Sequence, residues 1–113
     1  MQTINLKGGN VLDILHKIVN NLLSNPRDLQ TIPLNKKGLW FYAYVNNGNI
    51  YVSKARIKTP SSKLVSPQRL NINEMNEIFS IYNRRMNGEK VSCEATKVTR
   101  HQVYWYSIFH NCL

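Results

Sequence analysis

Residues 39–58 read LWFYAYVNNGNIYVSKARIK, two runs of β-branched and aromatic residues on either side of Asn46-Asn47-Gly48-Asn49. Asn-Gly is the pair that best tolerates positive φ at both central positions of a type I′ turn, whose twist suits two antiparallel strands. The segment is therefore expected to be a β-hairpin turning at Asn47-Gly48. That turn places Val45 opposite Ile50, Tyr44 opposite Tyr51, Ala43 opposite Val52, Tyr42 opposite Ser53, Phe41 opposite Lys54, Trp40 opposite Ala55 and Leu39 opposite Arg56. Side chains alternate between faces. One face then holds Trp40, Tyr42, Tyr44, Tyr51, Ser53 and Ala55, and the other Leu39, Phe41, Ala43, Val45, Ile50, Val52, Lys54 and Arg56. The favoured reading makes the aromatic face the core beneath helices. The alternative makes it a platform on which unpaired bases stack.

Two amphipathic helices flank the hairpin. Residues 10–23 carry Val11, Ile14, Leu15, Ile18 and Leu22 on one face, with Asn10 as a cap and Ser24-Asn25-Pro26 as a stop. Residues 72–86 carry Ile72, Met75, Ile78, Phe79, Tyr82 and Met86. Asn71 with Glu74 resembles a capping box, and Arg84 and Arg85 suit the last turn before Asn87-Gly88. Residues 27–38 read as irregular or as a short strand through Leu29, Ile32 and Leu34, and residues 59–70 as a polar loop. Near the C-terminus, Ala95, Val98, Gln102, Trp105, Phe109 and Cys112 follow a 3-4 spacing that favours one helix starting after Ser92. A strand through QVYWYSIF and a helix-turn-helix with Thr99 as cap and Arg100, His101 and Gln102 opening a recognition helix are the alternatives. At 113 residues with 42 % apolar content, the chain suits one domain with its own core. The fold class is α+β: an antiparallel hairpin, extendable to a three-stranded sheet, packed on two or three helices.

Charge is the strongest functional signal. Fifteen Lys and Arg against six Asp and Glu give +9, a balance that attracts polyanions. From Leu29 to Asn73 there is no carboxylate, and the stretch holds Lys36, Lys37, Lys54, Arg56, Lys58, Lys63 and Arg69. Phosphate binding needs this kind of cluster without competing acids. Lys54, Arg56 and Lys58 are expected to point to one face as a basic ribbon. The leading expectation is a small non-enzymatic protein that binds DNA or RNA through the hairpin and the following loop. A small nuclease, and an interaction or inhibitor protein whose basic face meets an acidic protein, are the alternatives.

No metal, cofactor or catalytic set is assigned. Cys93, His101, His110 and Cys112 have a spacing that fits no familiar zinc pattern, and a Cys-His pair lacks a third residue to orient it. Gly8-Gly9 lacks the rest of a phosphate-binding loop. With no apolar signal-peptide core and a longest apolar run of only Leu39 to Val45, the expectation is a cytoplasmic protein with reduced thiols and no membrane span.

FYAYVNNGNIYVSKA also resembles the paired-tyrosine hairpin of the GIY-YIG nucleases over about fifteen residues. The resemblance implies Tyr42 and Tyr51 as the two tyrosines, Arg56 or Arg69 as the later arginine, and Glu74 or Glu77 as a metal-binding carboxylate. Trp40 and Ser53 stand where that family has glycine. A metal-free ribonuclease built from Tyr, Lys, Arg and His is the related possibility, since six carboxylates supply a two-metal site poorly.

Overall fold

The structure is a computed structural model that describes residues 9–33 and 36–113. Its elements are helix α1 (Gly9–Ser24), strands β1 (Arg27–Gln30), β2 (Trp40–Asn46), β3 (Asn49–Lys54) and β4 (Gln68–Arg69), a 3-10 turn (Ile72–Glu74), and helices α2 (Met75–Met86), α3 (Ser92–Val98) and α4 (Gln102–Cys112). The strands form one antiparallel sheet in the order β1-β2-β3-β4. The architecture is α+β, as the sequence implies, with one more strand and one more helix than expected.

The hairpin turns at Asn47-Gly48, whose φ values of 51° and 77° supply the two left-handed positions the turn needs. Five of the expected pairs form, from Val45–Ile50 to Phe41–Lys54. The last two do not. β3 ends at Lys54, and Trp40 instead bridges Ser61, with the Trp40 N–H donating to the Pro60 carbonyl at 2.8 Å and the Ser62 N–H to the Trp40 carbonyl at 2.7 Å. Just before this end of β2, Gly38 lies so close to β1's exit that a Cβ there would meet the Thr31 carbonyl oxygen at 1.9 Å.

The two faces of the hairpin are the reverse of the favoured expectation. Phe41, Ala43, Ile50 and Val52 are 0 % exposed. Trp40, Tyr42, Tyr44 and Tyr51 are half-exposed on the opposite face. The aliphatic face has no polar atoms to satisfy, whereas burying three tyrosines would require a partner for each hydroxyl. α1 and α4 therefore pack against the sheet on the Phe41–Val52 side, with α2 on α4 and α3 on α2. Ile14, Ile18 and Leu22 of α1, Met75, Ile78, Phe79 and Tyr82 of α2, and Trp105, Ile108, Phe109 and Cys112 of α4 join Leu29, Phe41 and Leu70 in one core.

α1 takes in Gly9 and Asn10, so Asn10 stands inside the helix rather than before it; the side chains of Asn10 and Val11, like Leu34, lie outside the described residues. The Asn71 side chain accepts from the Asn73 N–H at 3.0 Å, not from Glu74, so it opens the 3-10 turn and no capping box forms. Arg85 reaches across to donate to the Ile32 carbonyl.

The single C-terminal helix is also overturned. α3 and α4 are separate, broken at Thr99, which is buried and extended (φ −157°, ψ 147°) and whose Oγ1 accepts from the His101 N–H at 2.9 Å. This is the break on which a helix-turn-helix would depend. However, residues 105–109 of α4 are all buried, and its exposed side chains are Val103, His110 and Asn111, a poor surface to lay in a groove.

Candidate functional site

The outward face of the sheet is built from the sheet register. Tyr42 and Tyr44 sit two apart on β2, and Tyr44 faces Tyr51 on β3. Their rings form a continuous row: Tyr42 and Tyr44 are 5.5 Å apart, and Tyr44 and Tyr51 are stacked at 5.4 Å with a 14° interplanar angle. Arg69 of β4 pairs with Tyr51 and extends the row across the sheet.

A single carboxylate brings the basic loop onto this face. Asp28 pairs with Tyr42 in register and so shares its side of the sheet. Its carboxylate accepts three consecutive backbone N–H groups, from Arg56 at 2.9 Å, Ile57 at 2.7 Å and Lys58 at 2.9 Å. The chain after β3 is thereby folded back over the sheet. The Arg56 guanidinium lies 4.1 Å from the Tyr42 ring centre, and the Lys58 ammonium 5.5 Å from that of Trp40. Partial burial pushes the Asp28 carboxyl up, but the three N–H groups and the Arg56 charge outweigh it and hold the group below its ordinary value.

Of the seven basic residues singled out from the sequence, this face gathers Arg56, Lys58 and Arg69. Lys54 pairs with Phe41 and so belongs by register to the helix side of the sheet, at its exposed end. Lys54 and Arg56 line one hollow against Leu64 and Val65, but Lys58 goes to Trp40, so the three do not continue as one ribbon. The strand stops at Lys54, and the Asp28 anchor, not strand alternation, sets where Arg56 and Lys58 go. Lys36 lines a groove against Arg85, Lys90 and Cys93 on the helix side. Lys37 and Lys63 are exposed elsewhere on the connecting loops. Asp28 itself was missed because its role needs two segments that meet only in the fold; its place as the last acid before the basic stretch was the one available hint.

The remaining acids are partly neutralised. Arg84 is held by Glu94 at 2.7 Å and Glu89 at 2.9 Å, which raises its pKa and lowers that of Glu94. Of the residues implied by the nuclease resemblance, Tyr42, Tyr51, Arg56 and Arg69 share the outward face. Glu74 instead lies half-buried in a hollow beside Arg69, and Glu77 lines a separate one with Glu94 and Lys97. Cys93 is exposed and Cys112 buried. Among the described residues no three His, Cys, Asp or Glu side chains come together, and no helix is long and apolar enough to cross a membrane.

Comparison with known protein families, curated proteins and solved structures finds no match. Any functional reading thus rests on the site itself.

The Asp28 anchor makes a direct prediction. Asp28→Asn keeps the shape but leaves one acceptor oxygen and turns an NH₂ toward N–H donors. Stability is expected to fall by about 1.5–3 kcal/mol, the range for a hydrogen bond to a charged acceptor. Amide exchange at Arg56, Ile57 and Lys58 should accelerate by about tenfold or more. The native protein should show the same loss with acid. A carboxyl whose folded pKa lies below the unfolded value of 3.8 contributes fully above pH 3.8 and loses that contribution as pH falls through the folded pKa. Unchanged exchange at the three amides in Asp28→Asn would show that the anchor does not position the loop.

Proposed function

We propose that this chain is a non-enzymatic nucleic-acid-binding protein that takes unpaired bases on Tyr42, Tyr44 and Tyr51 and phosphates on Arg56, Lys58 and Arg69. The observation that carries the reading is the outward row of tyrosines with basic side chains folded over and beside it. Aromatic rings on a sheet face stack with any base, but only with bases not already stacked in a duplex. Basic residues interleaved with them track the backbone.

Magnitudes support the arrangement as a binding surface rather than a closed cluster. A cation over an aromatic ring at an exposed site contributes about 0.5–1 kcal/mol. A stacked base contributes about 1–3 kcal/mol. A base can therefore displace Arg56 from Tyr42, which frees the guanidinium for the adjoining phosphate. Tyr44 and Tyr51, with no cation over them among the described residues, should be the stronger anchors.

Binding to fluorescent single- and double-stranded DNA and RNA, measured across a salt series, tests the reading. Single strands should bind more tightly than duplexes. Arg56→Ala with Lys58→Ala should flatten the log K versus log salt slope on single strands by up to about 1.4, roughly 0.7 per lost phosphate contact. Lys54→Ala should leave it unchanged. Lys17→Ala with Lys90→Ala removes the same net charge elsewhere; an equal effect from that pair would reduce the site to a net-charge effect. The same samples with Mg²⁺ should show intact oligonucleotide, and cleavage abolished by Tyr51→Phe would replace this reading with the nuclease one. Absence of binding to any nucleic acid would leave an acidic protein as the partner of the basic face.

A further inference from the structure

The tyrosine row does not end at a sheet edge facing open solvent. β4 is only two residues long, and Arg69 belongs to two surroundings at once. On one side it pairs with Tyr51. On the other it lines a hollow of ≈ 400 Å³ with Asn71, Glu74, Thr96, Lys97, Arg100 and His101, between β4 and the α3–α4 turn. Neighbouring strands lie about 4.8 Å apart, so the step from Tyr51 to this hollow is a single strand spacing.

The buried, extended Thr99 shapes the hollow's far wall. By accepting the His101 N–H it turns the chain sharply, which leaves Arg100 exposed and His101 half-buried. Lys97, one turn earlier on α3, is also exposed. Arg69, Lys97 and Arg100 thus surround a polar hollow whose one lining carboxylate is Glu74. Burial and the Arg100 charge lower the His101 pKa, against the raising effect of Glu74. The Thr99 hydroxyl and the Asn71 amide NH₂ complete a lining suited to an anion; the Thr96 hydroxyl is committed to the Cys93 carbonyl at 3.0 Å.

We propose that a single strand stacked on Tyr42, Tyr44 and Tyr51 continues across β4, and that Arg69, Lys97 and Arg100 hold one of its backbone phosphates in this hollow. This rests on the nucleic-acid reading and lengthens its footprint, adding Lys97 and Arg100 to the site. Lys97 of α3 and Arg100 of the α3–α4 turn would then act with the hairpin, although they lie 28 and 31 positions beyond Arg69 (97 − 69 and 100 − 69) and no strand carries them.

Oligothymidylates of 4 and 12 nucleotides, followed by fluorescence anisotropy, separate the two parts of the footprint. Lys97→Ala with Arg100→Ala should weaken the 12-mer about tenfold and flatten its salt slope by up to about 0.7, the contribution of the one phosphate held in the hollow. The 4-mer, which the tyrosine row accommodates alone, should be unaffected. The charge-preserving pair Lys97→Arg with Arg100→Lys should restore the 12-mer. Circular dichroism establishes that both variants fold, and both positions are exposed. An unchanged 12-mer, equal losses for both lengths, or an equal loss from Lys17→Ala with Lys90→Ala would each overturn the extension while leaving the tyrosine site standing. If the unaltered protein binds neither length, the nucleic-acid reading fails and the extension with it.

Discussion

Replacing Tyr42, Tyr44 and Tyr51 together with threonine should weaken single-strand binding by on the order of a hundredfold. Each base–aromatic stack contributes about 1 kcal/mol at the low end, so three amount to about 3 kcal/mol, and every 1.4 kcal/mol is a factor of ten. Threonine is chosen because it is β-branched and keeps strand propensity, so the sheet is asked to lose rings and little else. The stacked Tyr44–Tyr51 pair is worth about 0.2–1 kcal/mol to the hairpin, and the variant should remain folded. Its signature is a fall in affinity with an unchanged salt slope, because the phosphate contacts of Arg56, Lys58 and Arg69 persist. Arg56→Ala with Lys58→Ala should do the opposite and flatten the slope. The corresponding phenylalanine variants keep the stacking surface and should bind nearly as the native protein does. A threonine triple that binds with native affinity would show that the tyrosines are surface decoration and that phosphate attraction carries the whole interaction.

The sequence made the hairpin legible because Asn47-Gly48 has a local physical cause, and a turn of that type determines register by counting. It could not decide which face was inward. Period-2 alternation gives two apolar faces here, one aliphatic and one aromatic, and alternation alone is symmetric between them. The hydroxyls broke the symmetry: three buried tyrosines would each need a partner, and Phe41, Ala43, Ile50 and Val52 need none. β1 and β4 were hidden for a different reason. RDLQ and QR hold between them one buried apolar side chain, Leu29, so their pairing comes from strands already in place. The α3–α4 break was hidden because the 3-4 spacing of Ala95, Val98, Gln102, Trp105 and Phe109 runs through it unbroken, with no Gly or Pro to mark it. Thr99, which satisfies the turn with its own hydroxyl, was the one local sign. The basic cluster was visible as composition, but its geometry was not, since Asp28 and residues 56–58 are brought together by the sheet.

The largest stability effect is expected at Trp105, where the helix layer meets itself. Trp105 is 0 % exposed and stacks on Phe109 at 5.5 Å. Phe109 in turn packs edge-on against Phe79 at 4.8 Å and lies 5.4 Å from Tyr82. This aromatic cluster joins α4 to α2 and so holds the layer on which the sheet rests. Trp105→Ala removes the largest fully buried side chain and leaves a cavity that rigid neighbours cannot fill. Changes of this kind cost about 3–5 kcal/mol, a large part of the roughly 5–15 kcal/mol that stabilises an ordinary domain. The midpoint of thermal unfolding should drop by well over about 10 °C. Trp105→Phe should be much milder. The indole Nε1–H is buried without a hydrogen-bond partner among the described residues, and an unpaired buried donor costs about 1–3 kcal/mol. Phenylalanine gives up part of the ring volume but also removes that donor, so the two effects oppose and the net loss should stay near 1 kcal/mol or below. Both variants keep the outward tyrosines and the Asp28 anchor. Below its melting temperature, Trp105→Phe should therefore bind single strands as the native protein does. A Trp105→Ala variant no less stable than Trp105→Phe would show that α4 does not organise the core and that the helix layer is held elsewhere.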